Sequence, residues 1–510
     1  MAPKSETYSD FEGKDVSSGH IENYTAALGY EAVLHTRRST STLVFQSLAI
    51  AAPPFAIGTT LVNASYGGGP LPLFVGWIMV VCLAECVAIS VAELASRYPT
   101  AAGPYYWSFQ IAVKGKTVVS YITGWIWVIG NWMTALGVNF GFAQLIASAI
   151  TMYNPDWEAA PWQLLLILWA ILLTVLLVCI FGNRWLHVLD TICAGWIVMM
   201  LIVIMVTLLV QAKQGRHDAQ YAFSDFNKSI SGWGNFSFFI GLLPSAYTFS
   251  IVGMISSMAE ETAEPSIQVP RAISLAGPVL GLSGLSYIIP ICFTLPPLEL
   301  LINAPYGQAM PVLFKAVTGS NAGGVGILIL VLVLTVCCSI SITTAASRCT
   351  WAFARDKALP LSPIWHRLTK DSRIPVYSLC LVTAVQALLG CINLGSSSAF
   401  TAFVSVGVMG LSVSYLIPIA ISLVQRRAEV NGARFSCPPV LGTVVNVVAV
   451  AWIAFQVVLF SMPVAVPTTM VEMNYASVVL VGFATIAGGW YAVHARKSYK
   501  GPPESDGIGA

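Results

Sequence analysis

Two kinds of feature in this chain carry chemistry. Pro53-Pro54 interrupts the apolar run 43–65, and Pro244 with Gly253 interrupts the run 236–258. Proline has no N–H to return to a carbonyl four residues earlier, so each interruption leaves helix-end carbonyls and amides without their usual partners. The C-terminal end of a half-helix carries negative partial charge suited to a cation, and the N-terminal end offers N–H groups suited to a carboxylate. Ala49, Ile50, Ala51, Ala52 and Pro53 are the expected substrate contacts at the first interruption. The second feature is a pair of acids inside apolar runs: Glu85 within 71–95, and Asp190 near the start of 186–210. A charged side chain at that depth costs about 2.5–3.5 kcal/mol on insertion scales and normally marks an ion path. Glu85 is therefore expected to take part in proton coupling, with Asp190 and Glu93 as the next candidates. The competing reading is a protonated Glu85 that only hydrogen-bonds a neighbouring helix.

The elements that must position these groups follow from composition. With 56% hydrophobic and 9% charged residues, the chain cannot present a charged soluble surface, so its solvent is lipid. Twelve spans are expected, at 43–65, 71–95, 118–152, 162–181, 186–210, 236–258, 272–295, 323–346, 376–394, 399–424, 439–463 and 475–493. Most exceed the roughly 20 residues that cross a bilayer. Irregular backbone at membrane depth survives only where protein or a cavity satisfies it. Interruptions five spans apart thus predict an inverted repeat with a site between its halves. The expected organisation is a tail 1–40, a first repeat 41–210, a second repeat 236–424, two further helices within 439–493 and a tail 494–510.

Charge sets the orientation. With the N-terminus inside, 21 of the 25 lysines and arginines fall on the inner side, and only Lys213, Arg216, Lys228 and Lys315 fall outside. Both termini are then cytosolic, and residues 1–40 hold no apolar signal-peptide core. Asn227-Lys-Ser229 is a glycosylation sequon on the outer side, whereas Asn23-Tyr-Thr25 falls inside and stays unused. The eleven cysteines lie in spans or on the inner side, which argues against a disulfide framework. Six scattered histidines lack metal-ligand spacing, no catalytic domain is visible, and no cofactor, metal or nucleic-acid partner is expected.

Four ordered motifs then carry a resemblance. Glu93-Leu-Ala-Ser-Arg-Tyr-Pro-Thr-Ala-Ala-Gly-Pro-Tyr-Tyr-Trp107 is similar to the inner-loop signature of fungal amino acid/choline (GABA/choline permease-like) transporters of the amino acid-polyamine-organocation superfamily. Met258-Ala-Glu-Glu-Thr262 with Val269-Pro-Arg-Ala-Ile273, then Pro311–Ser320, then Ala346–Pro360 agree in order and spacing. The resemblance implies an all-α integral membrane protein of twelve helices, with a five-plus-five inverted repeat and two C-terminal helices. It also implies transport of amino acids, 4-aminobutyrate or choline, generally driven by protons. It places the sixth-span break at Ala246–Gly253, where Tyr247 and Phe249 would supply aromatic faces and Thr248 and Ser250 hydroxyls. Sodium-dependent members use eighth-span hydroxyls, and Ser339, Ser341, Thr343 and Thr344 are available here, with Ser341 and Thr344 expected in ion coupling and helix packing as the plainer reading. Glu260, Glu261 and Arg271 lie just inside the sixth span, within reach of Arg97, Arg348 or Arg355 as an inner gate; a solvated charge run is the plainer reading.

The chain departs from this family in three places. Relatives usually carry glycine at the first-span break, where this chain reads Ser47-Leu-Ala-Ile-Ala-Ala-Pro-Pro-Phe55, often show glycine and aspartate where Ile251 and Gly253 stand, and tend to be apolar at Glu85. Proline offers no amide to a carboxylate, and alanine admits a ligand less closely than glycine. A lost charge-assisted hydrogen bond forgoes about 1.5–3 kcal/mol. An aromatic face returns about 0.5–2 kcal/mol to a cation. The expectation is a proton-coupled secondary transporter of small amine-bearing metabolites in the plasma membrane, or else the vacuolar one, inclined toward cationic amines. A nutrient-sensing receptor on a transporter scaffold, an exporter of a specialised amine from a biosynthetic pathway, and a channel are the other readings.

Overall fold

A computed structural model describes residues 26–508 apart from 32, 35–37, 370–372, 396–398, 431 and 469–472. Lys4, Lys14, Arg37, Lys370 and the Asn23 sequon, used above, lie outside the described residues. Among the described residues, twelve helices are long and apolar enough to cross a membrane. They are Thr40–Thr59, Pro70–Arg97, Lys116–Tyr153, Pro161–Phe181, Asn183–Val210, Gly234–Glu261, Pro265–Thr294, Asn321–Arg355, Val376–Leu394, Phe400–Val424, Pro439–Leu459 and Ala476–Ser498, called here spans 1 to 12. Leu166, Leu173, Ile202, Val206 and Val481 point outward from these helices, as suits side chains whose solvent is hydrocarbon.

Spans 1, 3, 6 and 10 are the most enclosed, and span 12 is the most peripheral. The contacts repeat after a shift of five: span 1 meets span 6, span 2 meets span 7, span 3 meets span 8 and span 4 meets span 9. The packing of span 1 on span 5 is matched by span 6 on span 10, and that of span 3 on span 10 by span 8 on span 5. This is the five-plus-five repeat, with spans 11 and 12 added outside it.

Span 8 runs nine residues further than expected, through Arg355. Its charged end looks like a loop in sequence, but Arg348 and Arg355 are each held by a span-6 carboxylate, so the helix continues. After span 2, Gly103 takes φ 58°, which sets the turn into the short helix Pro104–Ile111. Asn227 is exposed on the face opposite the termini, where its Oδ1 accepts from the Ser229 amide and hydroxyl.

The first break is sharp. Thr40–Ala51 and Pro53–Thr59 are separate helices joined at Ala52, which sits at φ 37°, ψ 62°. A residue preceding proline is pushed out of the right-handed helical region, and Ala52 takes the left-handed one. The second break is milder and later than expected. Pro244 starts the helix Leu243–Ser250, in which Ala246 to Ser250 remain helical, and at Ile251 the chain passes into a 3₁₀ segment, Val252–Glu261.

Candidate functional site

On the face opposite the termini a cavity of about 470 Å³ opens between spans 1, 3, 4, 9 and 10 and the span 7–8 connection. Thr59, Asn63, Gln144, Tyr306, Asn393 and Thr401 supply its polar lining, and none of its lining residues is charged. Phe55, just past the prolines, and Phe400 meet at Gly141, where an added Cβ would lie 3.0 Å from Phe400 and 3.4 Å from Phe55. Phe140 stacks on Phe400 at 6.4 Å. Phe400 lines the cavity, and Phe55 and Phe140, both buried, back it as an aromatic floor.

One turn deeper on span 3, Gly137 leaves room for the Tyr247 hydroxyl and Val404. The Tyr247 hydroxyl is buried without a hydrogen-bond partner, as are the hydroxyls of Ser339, Thr343 and Ser405. Buried polar atoms are normally paired, so these open hydroxyls on spans 6, 8 and 10, among others in the core, are available to a polar ligand or water. At the first break Pro53 and Pro54 cannot donate to the carbonyls of Ala49 and Ile50. The Cys338 thiol of span 8 donates to the Ile50 carbonyl at 3.1 Å. Buried charged side chains among the described residues include Arg38, Glu93, Asp190, Glu260, Glu261, Arg348, Arg355, Asp356 and Arg427, all toward the terminal face, which leaves Glu85, in the seam between spans 2 and 7, as the acid at mid-depth.

Several expected residues are placed differently. Phe249 packs on Trp77 of span 2 at 5.0 Å and, with Ser250, lines a void of only about 20 Å³ against spans 2, 10 and 11. Thr248 and Ser250 donate to the Pro244 and Tyr247 carbonyls of their own span. Two residues on an α-helix stand about 200° apart, so within Leu243–Ser250 the helical spacing that turns Tyr247 toward span 3 turns Phe249 toward span 2. Of the two eighth-span hydroxyls, Ser341 donates to Asp190 at 2.6 Å and Thr344 to Ile340, and neither is among the open ones. Cys338 was not anticipated, and no sequence pattern singles it out from the other buried thiols.

Glu85 sits mid-height in the seam between spans 2 and 7. Trp77, Val81 and Glu85 face Gly284, Gly281 and Gly277 in register, and a Cβ at Gly277 would stand 1.9 Å from Glu85 Oε2. That oxygen is buried and has no hydrogen-bond partner. Gly277 thus makes room for the carboxyl in the seam that joins the two repeats.

The terminal face is closed by two charge networks. In the first, Arg38 pairs with Asp190 at 3.2 Å and with Glu261 at 3.4 Å, and it donates to Gln46 at 2.8 Å. Glu261 also takes Arg348 at 2.8 Å, and Arg348 reaches Asn183 at 2.9 Å. In the second, Arg355 forks onto Glu260 at 2.9 and 3.0 Å, while the Thr100 hydroxyl and the Ala101 amide donate to the same carboxylate at 3.2 Å. Arg355 lies 3.6 Å over the Tyr30 ring, and Tyr30 and Tyr105 donate to Asp356 at 2.9 and 2.7 Å. Burial pushes the Asp356 carboxyl up, while Arg355 and the two hydroxyls pull it back. Arg97 does not join these networks. It lies on the outer side of the same turn, and its guanidinium donates to the carbonyls of Asp506 and Ile508, so the pairing of Arg97 with Glu260 or Glu261 is corrected. Arg271 is exposed on span 7.

The arrangement is a neutral, aromatic-floored cavity open on one face above a break whose other side is sealed by ion pairs. One substitution probes the break directly. In Ala52→Gly, relief of about 1–2 kcal/mol of left-handed strain is offset by glycine's entropy cost of roughly 0.5–1 kcal/mol and by the lost methyl packing. The melting temperature is expected to move little, while neutral α-amino acids, admitted closer to the backbone, compete better for the site. Unchanged competition in the variant would show that Ala52 does not limit access.

The profile of the amino acid permease family matches residues 38–484. Amino-acid permease BAT1 of Arabidopsis thaliana is 30% identical over 492 residues, covering 93% of this chain and 95% of its own length. The choline transporter of Saccharomyces cerevisiae is 26% identical over 455 residues, 89% of this chain and 80% of its own. The polyamine transporter TPO5 of the same yeast is 28% identical over 479 residues, 92% and 77% of the two chains.

Proposed function

The chain belongs to the amino acid permease family, and from that premise we propose that it is a proton-coupled secondary transporter of small amine-bearing metabolites. The observation that carries the reading is the pairing of an open cavity above the Ala52 break with ion-paired closure below it. A site reached from one face at a time is what alternating access requires. The similarity to amino-acid, choline and polyamine carriers supports an amine as the common element of the cargo.

Within that class the site favours a cation. No buried carboxylate or guanidinium stands at the break, so a ligand's charge must be met by helix ends and ring faces. Two prolines remove amides that a carboxylate would use, while the negative C-terminal end of the first half-helix and the faces of Phe55, Phe400 and Tyr247 suit an ammonium. The aromatic set differs from the expected Tyr247 and Phe249, because Phe249 is engaged with Trp77. The open hydroxyls of Tyr247, Ser339, Thr343 and Ser405 supply hydrogen bonds to the remainder of the molecule.

The terminal face is taken as cytosolic on the 21-to-4 segregation of basic residues, the repeats as 41–210 and 236–424 on the two breaks five spans apart, and the plasma membrane as the site of uptake. Expression in cells deprived of their own amine permeases is expected to confer saturable uptake of a labelled amine, with tags at both termini reached only from the cytosol and a reporter near Gln214 only from outside. A cytosolic signal at Gln214 would contradict the orientation, and a chain correctly delivered to the surface that moves no amine would contradict the function.

A further inference from the structure

We propose that the C-terminal segment 499–508 is an intramolecular strap that holds the terminal-face gate shut, so that its release favours opening toward the cytosol. The proposal rests on the alternating-access reading above, but its test does not require a substrate.

The segment is built into the fold rather than laid on it. Tyr499 is buried, and its hydroxyl shares a 2.8 Å hydrogen bond with Ser120, which itself donates to the Tyr105 carbonyl at 2.9 Å. Gly501, at φ 91°, passes so close to Phe109 that a Cβ would lie 2.2 Å from the ring. Gln110 then takes the strand by two bonds: its amide donates to the Pro503 carbonyl at 2.6 Å and accepts from the Ser505 amide at 3.2 Å. Arg97 donates to the carbonyls of Asp506 and Ile508, and the Ile508 amide returns to the Arg97 carbonyl at 2.9 Å. The strand therefore spans from the end of span 2 to the far end of the helix Pro104–Ile111.

That turn is the one that clasps the gate. Thr100 and Ala101, between Arg97 and the helix, donate to the Glu260 carboxylate that Arg355 grips. On its other edge the strap touches the N-terminal segment, where the Ser505 hydroxyl donates to the Ala27 carbonyl at 2.6 Å and Pro503 abuts Gly29. Tyr106 donates to the Leu28 carbonyl at 2.9 Å, and Tyr30, two residues on, stacks under Arg355 and binds Asp356. Parting Glu260 from Arg355 requires the 97–110 turn or the 26–30 segment to move, and the strap ties the two together. The peripheral ion pair Lys116–Glu504, 3.5 Å apart and largely exposed, adds little.

The test uses the Cys338 thiol, which lies deeper than both charge networks. All eleven cysteines are free, so the other ten are replaced by serine and the full chain is assayed in inside-out vesicles with a membrane-impermeant maleimide. Truncation after Lys500, which keeps Tyr499, and Gln110→Ala in the full-length chain each remove part of the strap. Both are expected to raise the Cys338 labelling rate by about fivefold or more, as a shift of the gate population toward the open state. Gln110→Ala leaves the strap present but unhooked, so it decides the matter if the truncated chain is not monodisperse. Labelling that stays at the parent rate in Gln110→Ala, in a chain that elutes as the parent does, would overturn the proposal and leave the segment a passive part of the fold. Faster labelling in a chain that moves no amine would uphold the strap while contradicting the transport reading.

Discussion

Replacing Glu261 by alanine is expected to be among the most damaging single changes in this chain. Its carboxylate is the shared partner of Arg38 and Arg348, whose side chains are each only 3% exposed. Removing one member of a buried ion pair costs roughly 3–5 kcal/mol, because the remaining charge stays desolvated without compensation. Here two guanidiniums lose a partner at once. Arg38 keeps Asp190 and Gln46, and Arg348 keeps Asn183, so the chain is expected to fold but to melt at markedly lower temperature in detergent. The segment leading into span 1 is tied to the end of span 6 through this carboxylate and through the Arg38 amide's bond to the Glu261 carbonyl. Loosening it should also admit cytosolic reagents to the break. A melting temperature and a Cys338 labelling rate both equal to the parent's would show that the network is an incidental charge cluster. Glu261→Gln, which keeps hydrogen bonding without the charge, is expected to fall between the two.

The second large effect concerns accumulation. Glu85 is the acid that lies at mid-membrane depth, away from both gate networks, in the seam between the repeats. Its Oε2 is buried, unpartnered and accommodated by the missing side chain of Gly277. An acid kept at that cost without a basic partner has reason to exchange a proton. Glu85→Gln preserves shape and removes titration, so concentrative, pH-dependent uptake is expected to be abolished while exchange of labelled for unlabelled substrate across the membrane continues. Exchange is the informative control, because it needs the binding site and both gates but no net proton movement. Full pH-dependent accumulation by the Gln variant would remove Glu85 from the coupling path. Asp190, bound to Arg38 and Ser341 in the closed gate, would then be the acid to examine next.

What was legible in the sequence is what lipid enforces. Apolar length gave all twelve spans, with ends off by up to nine residues where charged ends are held by ion pairs, and Pro53-Pro54 located the first break because no helix can satisfy two missing donors at that depth. The ion pairs of Glu260 and Glu261 with Arg355 and Arg348 were readable, since opposite charges at the ends of two spans on one face have few other places to go. The rest was hidden for identifiable reasons. Arg38 and Asp190 are 152 residues apart and meet only because span 1 packs on span 5. Phe249 turned toward Trp77 because Ala246 to Ser250 stay α-helical, which sets Phe249 about 200° from Tyr247, and an expected break across that stretch hid the helical spacing. Arg97 had the right charge in the right turn, but its position on the turn's outer side gives it to the chain terminus, and a proline- and glycine-rich tail gives no sign of where it docks.

The measurement that bears most directly on the central claim is competition for uptake through this chain in cells without their own amine permeases. Amines that lack a carboxylate, such as choline, are set against neutral L-amino acids of similar size. The neutral break, its two prolines and its aromatic floor predict that the carboxylate-free amines inhibit at least as strongly as the amino acids. Strong, stereospecific inhibition by L-amino acids alone, with choline inert, would contradict the account, since it would require backbone amides at the break to hold a carboxylate where Pro53 and Pro54 have none to give.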